Sequence, residues 1–242
     1  MPGLVLSLFP GIGLLDMAFE EAGFCVVRGP DLLWGGDVRR FDPPAGRFEG
    51  VIGGPPCQFA STLRHVREAR GDAEPPANRI PEFERCVRQA RPTWFLMENV
   101  KDAPLPEVEG YRVHAQLIRD HWCGGETMRL RRFSFGTKDG RPLEVDVLAL
   151  HRTDPEPAVL ASGGRKPGAD LSRRSRLSHM GWKTEQALVE HRRLQGLPSD
   201  FLAAAPFTIE GKIRAIGNGV PLAMGRAVAA AVLKAHSERE AA

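Results

Sequence analysis

The sequence contains few cysteines, and no two of them have metal-binding spacing. The four, Cys25, Cys57, Cys86 and Cys123, are widely separated and include no Cys-x-x-Cys pair. This pattern argues against the common zinc motifs and against a disulfide framework. We therefore expect reduced thiols and no bound metal. A free cysteine is most often a small buried side chain, so a chemical role for any of the four needs further support.

The sequence also lacks long apolar runs and a strong charge imbalance. No run approaches the roughly 18 apolar residues that span a bilayer, and no basic leader is present, so we expect a cytoplasmic protein that does not enter a membrane. The formal net charge of +3 does not by itself indicate a nucleic-acid partner. With 242 residues, 42% of them hydrophobic, the chain suits one large domain with a sizeable core.

Strands and helices are predicted to alternate along most of the chain. Strands are expected at residues 4–9, 24–28, 50–53, 94–97, 131–136 and 144–150, and helices at 14–21, 82–90, 184–194 and after Pro221. This alternation is typical of an α/β fold with a mostly parallel sheet and helices on both faces. Ligands of such sheets bind at the carboxyl ends of the strands, so residues 9–13, Cys57 and Glu98 should meet at one edge.

A glycine-containing turn, Phe-Pro-Gly-Ile-Gly at residues 9–13, joins the first predicted strand to the first helix. Glycine there lets a ligand approach the backbone and the helix N-terminus, although a tight turn without a ligand is also possible. Asp16 replaces the third glycine of a dinucleotide fingerprint, which disfavours NAD and FAD. S-adenosylmethionine has no pyrophosphate and stays compatible. Asp37 is either an acceptor for its adenine amino group or an acidic turn residue.

Three further groups of residues have chemical potential. Cys57 follows two prolines that fix the backbone, and its thiolate would be a nucleophile. Glu98 follows an apolar strand and suits general acid catalysis, a helix cap or a salt bridge. Arg129 and Arg131 alternate with apolar residues, which predicts that both guanidinium groups share one strand face and bind a phosphate or base, or face solvent.

Two polar segments separate the regular elements. Residues 60–81 are rich in Gly, Pro and Arg and are either a functional lid or a disordered loop. Between Gly163 and Lys183 there are six basic residues and one acid. This second segment is either a phosphate-binding surface or a solvated loop.

In combination, these motifs resemble those of the DNA (cytosine-5) methyltransferases. In chain order they are Phe9-x-Gly11-x-Gly13, Gly36-Asp37-Val38, Gly54-Pro55-Pro56-Cys57-Gln58, Glu98-Asn99-Val100, Arg129-x-Arg131, Arg192-Arg193-Leu194-Gln195-Gly196-Leu197-Pro198 and Ile216-Gly217-Asn218-Gly219-Val220-Pro221. The resemblance implies a Rossmann-like S-adenosylmethionine-dependent methyltransferase fold. Residues 1–136 and 183–242 would form its catalytic domain, and 137–182 a small inserted target-recognition segment.

The resemblance implies a covalent mechanism on a base flipped out of duplex DNA. Cys57 would attack C6 of cytosine, which makes C5 nucleophilic toward the methyl group of S-adenosylmethionine. Glu98 would hold N3 and the exocyclic amine, and Arg131, with Arg129, would fix the base and Cys57. The implied enzyme is a monomer that acts on double-stranded DNA in the cytoplasm of a bacterial or phage-infected cell.

The resemblance also implies a cofactor site and a DNA surface. Cofactor-binding residues would be Phe9, Gly11, Ile12, Gly13, Asp31, Asp37, Val38, Pro56, Asn218 and Val220. DNA would contact Gln58, Ser61 and Arg64 in a mobile loop, and Arg165, Lys166, Arg173, Arg174 and Arg176 in the recognition segment. The sequence departs from the family pattern at Thr127, where a glutamine is usual, and at Gly219, where a small polar residue is usual.

Three alternatives stay open. The departures at Thr127 and Gly219 leave room for a modified S-adenosylmethionine and another transferred group. RNA is a second possible substrate, although the Cys-Phe-Thr marker of the tRNA-modifying branch is absent. The third is a catalytically silent DNA-binding relative, which the presence of Cys57, Glu98 and Arg131 disfavours.

Overall fold

The computed structural model describes residues 3–56, 77–147, 155–159 and 184–240. Six strands in these ranges form one mixed sheet. They are β1 (Leu4–Leu8), β2 (Cys25–Arg28), β3 (Gly50–Gly53), β4 (Trp94–Asn99), β5 (Arg112–Arg119) and β6 (Leu130–Thr137), in the order β2-β1-β3-β4-β6-β5. The first four strands are parallel, and β6 runs antiparallel to both β4 and β5. The predicted α/β fold with a mostly parallel sheet is confirmed.

Five α-helices accompany the sheet in the described ranges. They are α1 (Leu14–Glu21), α2 (Ile80–Ala90), α3 (Glu185–Leu194), α4 (Ile209–Asn218) and α5 (Leu222–Glu240). Thr184 and Thr208 cap α3 and α4, because their hydroxyl oxygens accept from Ala187 N and Gly211 N. Pro221 directly precedes α5, at a position where a missing N–H costs no helical hydrogen bond.

Alternate strand residues supply two hydrophobic cores on opposite faces of the sheet. Val5 and Ile52 are fully buried in a cluster that includes residues of α1 and α5. Their neighbours Leu6 and Val51 belong to a second cluster that includes residues of α2. Since successive strand side chains point to opposite faces, the two clusters show that helices cover both sides, as predicted.

The structure differs from the sequence prediction at three elements. β5 was not predicted, because it is an edge strand with mostly exposed side chains and gives a weak hydrophobic signal. α4 was also missed, because Gly211 and Gly217 lower its helix propensity. The predicted strand at 144–150 is wrong for residues 144–147, which form no regular structure, and residues 148–150 lie outside the described ranges.

The alternation near residue 144 reflects burial without strand pairing. Leu143 and Val145 are buried in the same cluster as Phe135 of β6. The first described residues of the proposed recognition segment therefore pack on the catalytic core. The boundaries 1–136, 137–182 and 183–242 stay predictions.

The stretch Ile209–Glu238, which covers α4 and most of α5, is long and apolar enough to cross a membrane by length and composition. The mean hydropathy of its most apolar window is 1.4. The sequence analysis found no such run, because glycines and charges interrupt it. Of that window, 61% is buried inside the protein. This burial is typical of the core helix of a soluble protein.

Gly50 provides a test of the core. A Cβ atom at this position would lie 2.2 Å from the Trp94 ring. Gly50→Ala should therefore lower the free energy of unfolding by about 1–3 kcal/mol through overpacking. Because Trp94→Phe removes part of that ring, the double variant should lose less than the sum of the two single losses. Chemical denaturation measures all three variants, and an unchanged midpoint for Gly50→Ala would contradict this packing.

Candidate active site

A cavity of about 430 Å³ opens at the carboxyl ends of β1, β3 and β4. Such a volume is within the usual range for a small-molecule site. Nine of the predicted site residues line it: Phe9, Gly11, Ile12, Asp31, Pro56, Glu98, Arg131, Asn218 and Val220. The meeting of the glycine turn with Glu98 at one edge of the sheet agrees with the sequence analysis.

Nine other predicted site residues lie outside the described ranges. They are Cys57, Gln58, Ser61, Arg64, Arg165, Lys166, Arg173, Arg174 and Arg176. The chain is described as far as Pro56, which lines the cavity. Within the described ranges, no group of three or more His, Cys, Asp or Glu side chains could hold a metal ion.

The glycine turn has an unusual backbone. Gly11 and Gly13 have φ values of 56° and 80°, and Phe9 has a φ of 56° without being glycine. This left-handed region is unfavourable for a side chain with Cβ, and such strain is concentrated at functional sites. Gly11 is fixed on both sides, because its N–H donates to Asp31 Oδ2 at 2.9 Å and its carbonyl accepts from Trp34 Nε1 at 2.6 Å.

Asp31 and Asp37 have different positions in the structure. Asp31 lines the cavity, and its Oδ1 also accepts from Leu33 N at 2.7 Å. Asp37 is not among the lining residues, and its carboxylate forms an ion pair of 2.6 Å with Arg39. Hydrogen bonds from the Arg39 side chain and backbone lower the pKa of Asp37 to about 2. To accept from an adenine, Asp37 would have to leave Arg39.

Two other proposed cofactor residues also lie away from the cavity lining. Val38 is buried in the core on the α2 side of the sheet. Gly13 begins α1, and its N–H donates to Pro10 O at 2.8 Å. Both residues shape the chain beside the cavity, and neither lines it.

Glu98 and Arg131 form an ion pair at the cavity wall. Arg131 Nε lies 2.7 Å from Glu98 Oε1, and the two side chains are only 18% and 13% exposed. They come from neighbouring antiparallel strands, β6 and β4. A Cβ at Gly54 would lie 3.0 Å from Glu98 Oε2, so glycine leaves room for the carboxylate. The pair presents a fixed carboxylate and a fixed guanidinium to a bound ligand.

Asn99 holds the chain that leads to Cys57. Its buried side-chain amide donates from Nδ2 to Pro55 O at 3.1 Å, and its Oδ1 accepts from Val100 N at 2.9 Å. Sequence analysis placed Asn99 in a motif but assigned it no role. The feature of the sequence that could have indicated this role is the position of Asn99 directly after Glu98 at the end of a strand.

Arg129 lies outside the strand that holds Arg131 and, unlike Arg131, is not part of the cavity lining. Its guanidinium is buried and donates from Nη1 to Val159 O and Gly217 O, at 2.7 and 2.9 Å. β6 begins only at Leu130, so the two-residue alternation of a strand does not extend to Arg129. It does not line the cavity.

α4 and the residues before it form one wall of the cavity that the sequence analysis missed. Phe207 lines this wall, and its ring centroid lies 5.5 Å from that of Trp34. Arg214 also lines it and pairs with Glu210 at 3.3 Å, with a largely exposed side chain. No sequence motif included Phe207 or Arg214. They lie just before and within α4, whose two glycines lower its helix propensity, so this helix was not predicted.

A buried carboxylate, Asp16, lies at the base of the cavity. Ser7 Oγ donates to Asp16 Oδ1 at 2.5 Å, and Arg28 Nε donates to Oδ2 at 3.0 Å. Burial raises the pKa of Asp16, although both hydrogen bonds favour the charged form. Asp16, which replaces the third glycine of the dinucleotide fingerprint, therefore stabilises the base of the cavity through its hydrogen bonds.

Comparison with known proteins identifies the family. Residues 35–160, more than half of the chain, match the family model of the C-5 cytosine-specific DNA methylases. The chain belongs to this family. It is 33% identical to the Type II methyltransferase M.NgoPII of Neisseria gonorrhoeae over 121 residues, and 33% identical to M.FnuDI of Fusobacterium nucleatum over 116 residues.

These alignments cover about two fifths of this chain, at 41% and 40%, and only 33% and 32% of the two relatives. The chain thus spans about a third of the length of the curated relatives it matches. Among solved structures, the Entamoeba histolytica methyltransferase EhMeth has a TM-score of 0.62 and 12% identity. The match covers 98% of this chain and 99% of that one, which shows a shared methyltransferase fold.

The departures of this chain from its family pattern have structural explanations. Thr127 donates from both Oγ1 and its backbone N to Asp120 Oδ2, at 2.7 and 2.9 Å. This pairing supports the turn before Arg129. At Gly219, a Cβ would lie 2.4 Å from the Leu14 side chain, so Leu14 occupies the space that a side chain at 219 would need.

The raised pKa of Asp16 predicts a pH dependence of the protein's stability. The folded pKa of Asp16 is raised above 3.8, so the unfolded chain loses the proton first, and stability decreases as pH rises from the unfolded toward the folded pKa. Asp16→Asn cannot titrate. Between about pH 4 and about pH 7, its free energy of unfolding should fall less than that of the wild type.

Urea unfolding at several pH values measures this difference. Asp102→Asn, at a half-exposed carboxylate, is the matched control and should follow the wild-type profile. A steeper loss of stability for Asp16→Asn than for the wild type would contradict the raised pKa.

Proposed function

We propose that this protein transfers a methyl group from S-adenosylmethionine to C5 of a flipped-out cytosine in double-stranded DNA. Membership of the C-5 cytosine-specific DNA methylase family supports methyl transfer to cytosine. The observation that carries the proposal is the Glu98–Arg131 ion pair, which lines the same cavity as the Gly54–Pro56 chain leading to Cys57. One cavity can thus hold a cofactor next to a base.

The residues of the cavity fit S-adenosylmethionine. Apolar side chains of Ile12, Leu33 and Phe207 line its walls, and Asp31 contributes a carboxylate. Asp31 would accept from the ribose hydroxyls, and Asn218 and Val220 would close the side formed by α4. When bound, S-adenosylmethionine supplies an activated methyl group. The glycine turn would let it approach the backbone at the start of α1.

The described cysteines offer no good alternative to Cys57 as nucleophile. Burial raises the pKa of both Cys86 and Cys123 to about 11, so these thiols stay protonated at neutral pH. Cys25 is exposed, but it begins β2 and so lies at the edge of the sheet opposite to the cavity. Cys57 follows directly after Pro56 at the cavity.

In the proposed reaction, the Cys57 thiolate forms a bond to C6 of cytosine, and the ring electrons move toward C5 and N3. Glu98 would hold N3 and the exocyclic amine of the ring, while Arg131 holds Glu98 in place. Bound S-adenosylmethionine would supply its methyl group to C5, with the bond between the methyl carbon and the sulfonium sulfur breaking and S-adenosylhomocysteine leaving. Water or another base removes the C5 proton, and the electron pair of that bond reforms the double bond and expels the Cys57 thiolate. The target base must leave the helix to reach these groups.

The remaining expectations form part of the same proposal. The partner is double-stranded DNA, bound by a monomer in the cytoplasm, and the transferred group is methyl from unmodified S-adenosylmethionine. A modified cofactor, an RNA substrate and a silent DNA-binding role are the outcomes against which it is tested.

A covalent trap tests the nucleophile. Fluorine at C5 cannot leave as a proton does, so the wild type with S-adenosylmethionine should form a denaturant-resistant complex with a long mixed-sequence duplex containing 5-fluorocytosine. Denaturing electrophoresis detects the complex. Cys57→Ser should form none, whereas Cys25→Ser, at an exposed cysteine, should form it like the wild type. A complex with Cys57→Ser would mean that another residue is the nucleophile.

The ion pair predicts a kinetic effect. Glu98→Gln removes the carboxylate that would hold the base, and Arg131→Met leaves Glu98 without its partner, so each should lower kcat by about 100-fold or more. The double variant should lose little beyond either single variant, because the two residues act as a unit. Steady-state methylation assays measure these values. Independent, multiplicative losses would contradict the coupling.

A further inference from the structure

We infer that Arg129 is a positioning residue that fixes the cofactor side of the cavity and links it to residues 155–159 of the proposed recognition segment. The inference rests on the proposed function, because it assigns S-adenosylmethionine to the cavity. It gives Arg129 a role different from contact with the target base.

On one side, Arg129 holds the end of α4. Its Nη1 donates to Gly217 O at 2.9 Å, and Nη2 reaches Asn218 O at 3.4 Å. Carbonyls in the last turn of a helix have no partners within the helix and carry partial negative charge. A buried cation at this point therefore fixes the backbone where Asn218, Gly219 and Val220 line the cavity.

On the other side, the same nitrogen, Nη1, donates to Val159 O at 2.7 Å. Val159 is 1% exposed and forms a small buried cluster with Leu194 of α3. Its segment is anchored by two further hydrogen bonds, from Glu156 N to Glu126 O at 2.9 Å and from Met128 N to Glu156 O at 2.8 Å. Residues 155–159 directly precede residues 160–182 of the proposed recognition segment.

Nη1 of Arg129 thus binds two carbonyls, that of Gly217 beside the proposed cofactor site and that of Val159 in the proposed recognition segment. A movement of Val159 changes the hydrogen bond that holds Gly217, and a movement of α4 changes the one that holds Val159. Such shared contacts provide a physical basis for reciprocal coupling between two sites. A lysine at this position has a single nitrogen on a flexible chain and cannot reproduce the planar fork of arginine.

Arg132 provides a matched control three residues further along the chain. Its guanidinium also donates to backbone carbonyls, those of Lys101 and Pro104, at 2.9 and 2.8 Å. These carbonyls lie in the loop after β4, away from α4. Arg132→Met should therefore destabilise the protein through lost hydrogen bonds without changing the α4 side of the cavity.

The first measurement is calorimetric binding of S-adenosylhomocysteine to the full chain. Arg129→Met should weaken binding by about tenfold or more, because the backbone at Asn218–Val220 would no longer be held in place and the ligand would have to order it. Arg129→Lys should show a smaller weakening, and Arg132→Met should bind like the wild type. Circular dichroism confirms that each variant is folded, and Arg129→Lys provides the result if Arg129→Met does not fold.

The second measurement is hydrogen exchange of the backbone amides of Glu156, Ala158 and Val159, because Pro155 and Pro157 have no N–H. S-adenosylhomocysteine should slow their exchange in the wild type and in Arg132→Met, but not in Arg129→Lys. A structural role without coupling would leave this response unchanged. If Arg129→Lys binds and responds like the wild type, the inference is overturned and the proposed function stands. If the folded wild type binds no S-adenosylhomocysteine, the proposed function fails and the inference fails with it.

Discussion

The parallel pairing of β1, β3 and β4 is the constraint on which the site depends. Because the three strands run in the same direction and are hydrogen-bonded neighbours, the segments after Leu8, Gly53 and Asn99 meet at one edge of the sheet. The strained turn at Phe9, the chain at Pro55 and the Glu98 carboxylate thereby line one cavity. The antiparallel strand β6 then adds Arg131 from the side, so the complete cavity needs both parallel and antiparallel pairing.

Several buried polar groups in this protein stabilise the site without being placed to react. Asp16 connects Ser7 to Arg28 beneath the cavity. Burial raises the pKa of Asp120, whose carboxylate accepts two hydrogen bonds from Thr127. Both oxygens of Asp16 and the Oδ2 atom of Asp120 accept hydrogen bonds, as is usual for buried polar atoms. The proposed reaction instead uses other side chains of the cavity, among them Glu98 and Arg131.

Much of the fold could be predicted, because apolar strands and glycine turns are local signals. The strand at Gly50–Gly53 and the helix at Leu14–Glu21 were predicted with the bounds that the structure shows. Glu98 could be placed beside the glycine turn because both lie at the carboxyl ends of predicted strands, whereas Arg131, near the start of the antiparallel β6, was placed with Glu98 only by the family resemblance. β5 and α4 could not be predicted from the sequence, because β5 is an exposed edge strand and α4 contains two glycines.

The roles of single side chains were harder to predict, because they depend on contacts between distant segments. Nothing near Arg129 in the sequence indicates that it binds Gly217, 88 positions away. In the same way, the ion pair of Asp37 with Arg39 and the closure of space at Gly219 by Leu14 appear only in three dimensions. A sequence motif thus predicts which residues lie near one another, whereas the tertiary packing determines which atoms each residue contacts.

The most direct measurement of the central claim is nucleoside mass spectrometry of DNA and RNA from cells that lack cytosine methylation and express this protein. Base-resolution sequencing of the DNA would locate the modified positions. The account predicts 5-methyldeoxycytidine in the DNA at a defined sequence. Unmodified cytosine in the DNA from soluble, folded protein, modification of RNA alone, or a C5 group heavier than methyl would contradict it.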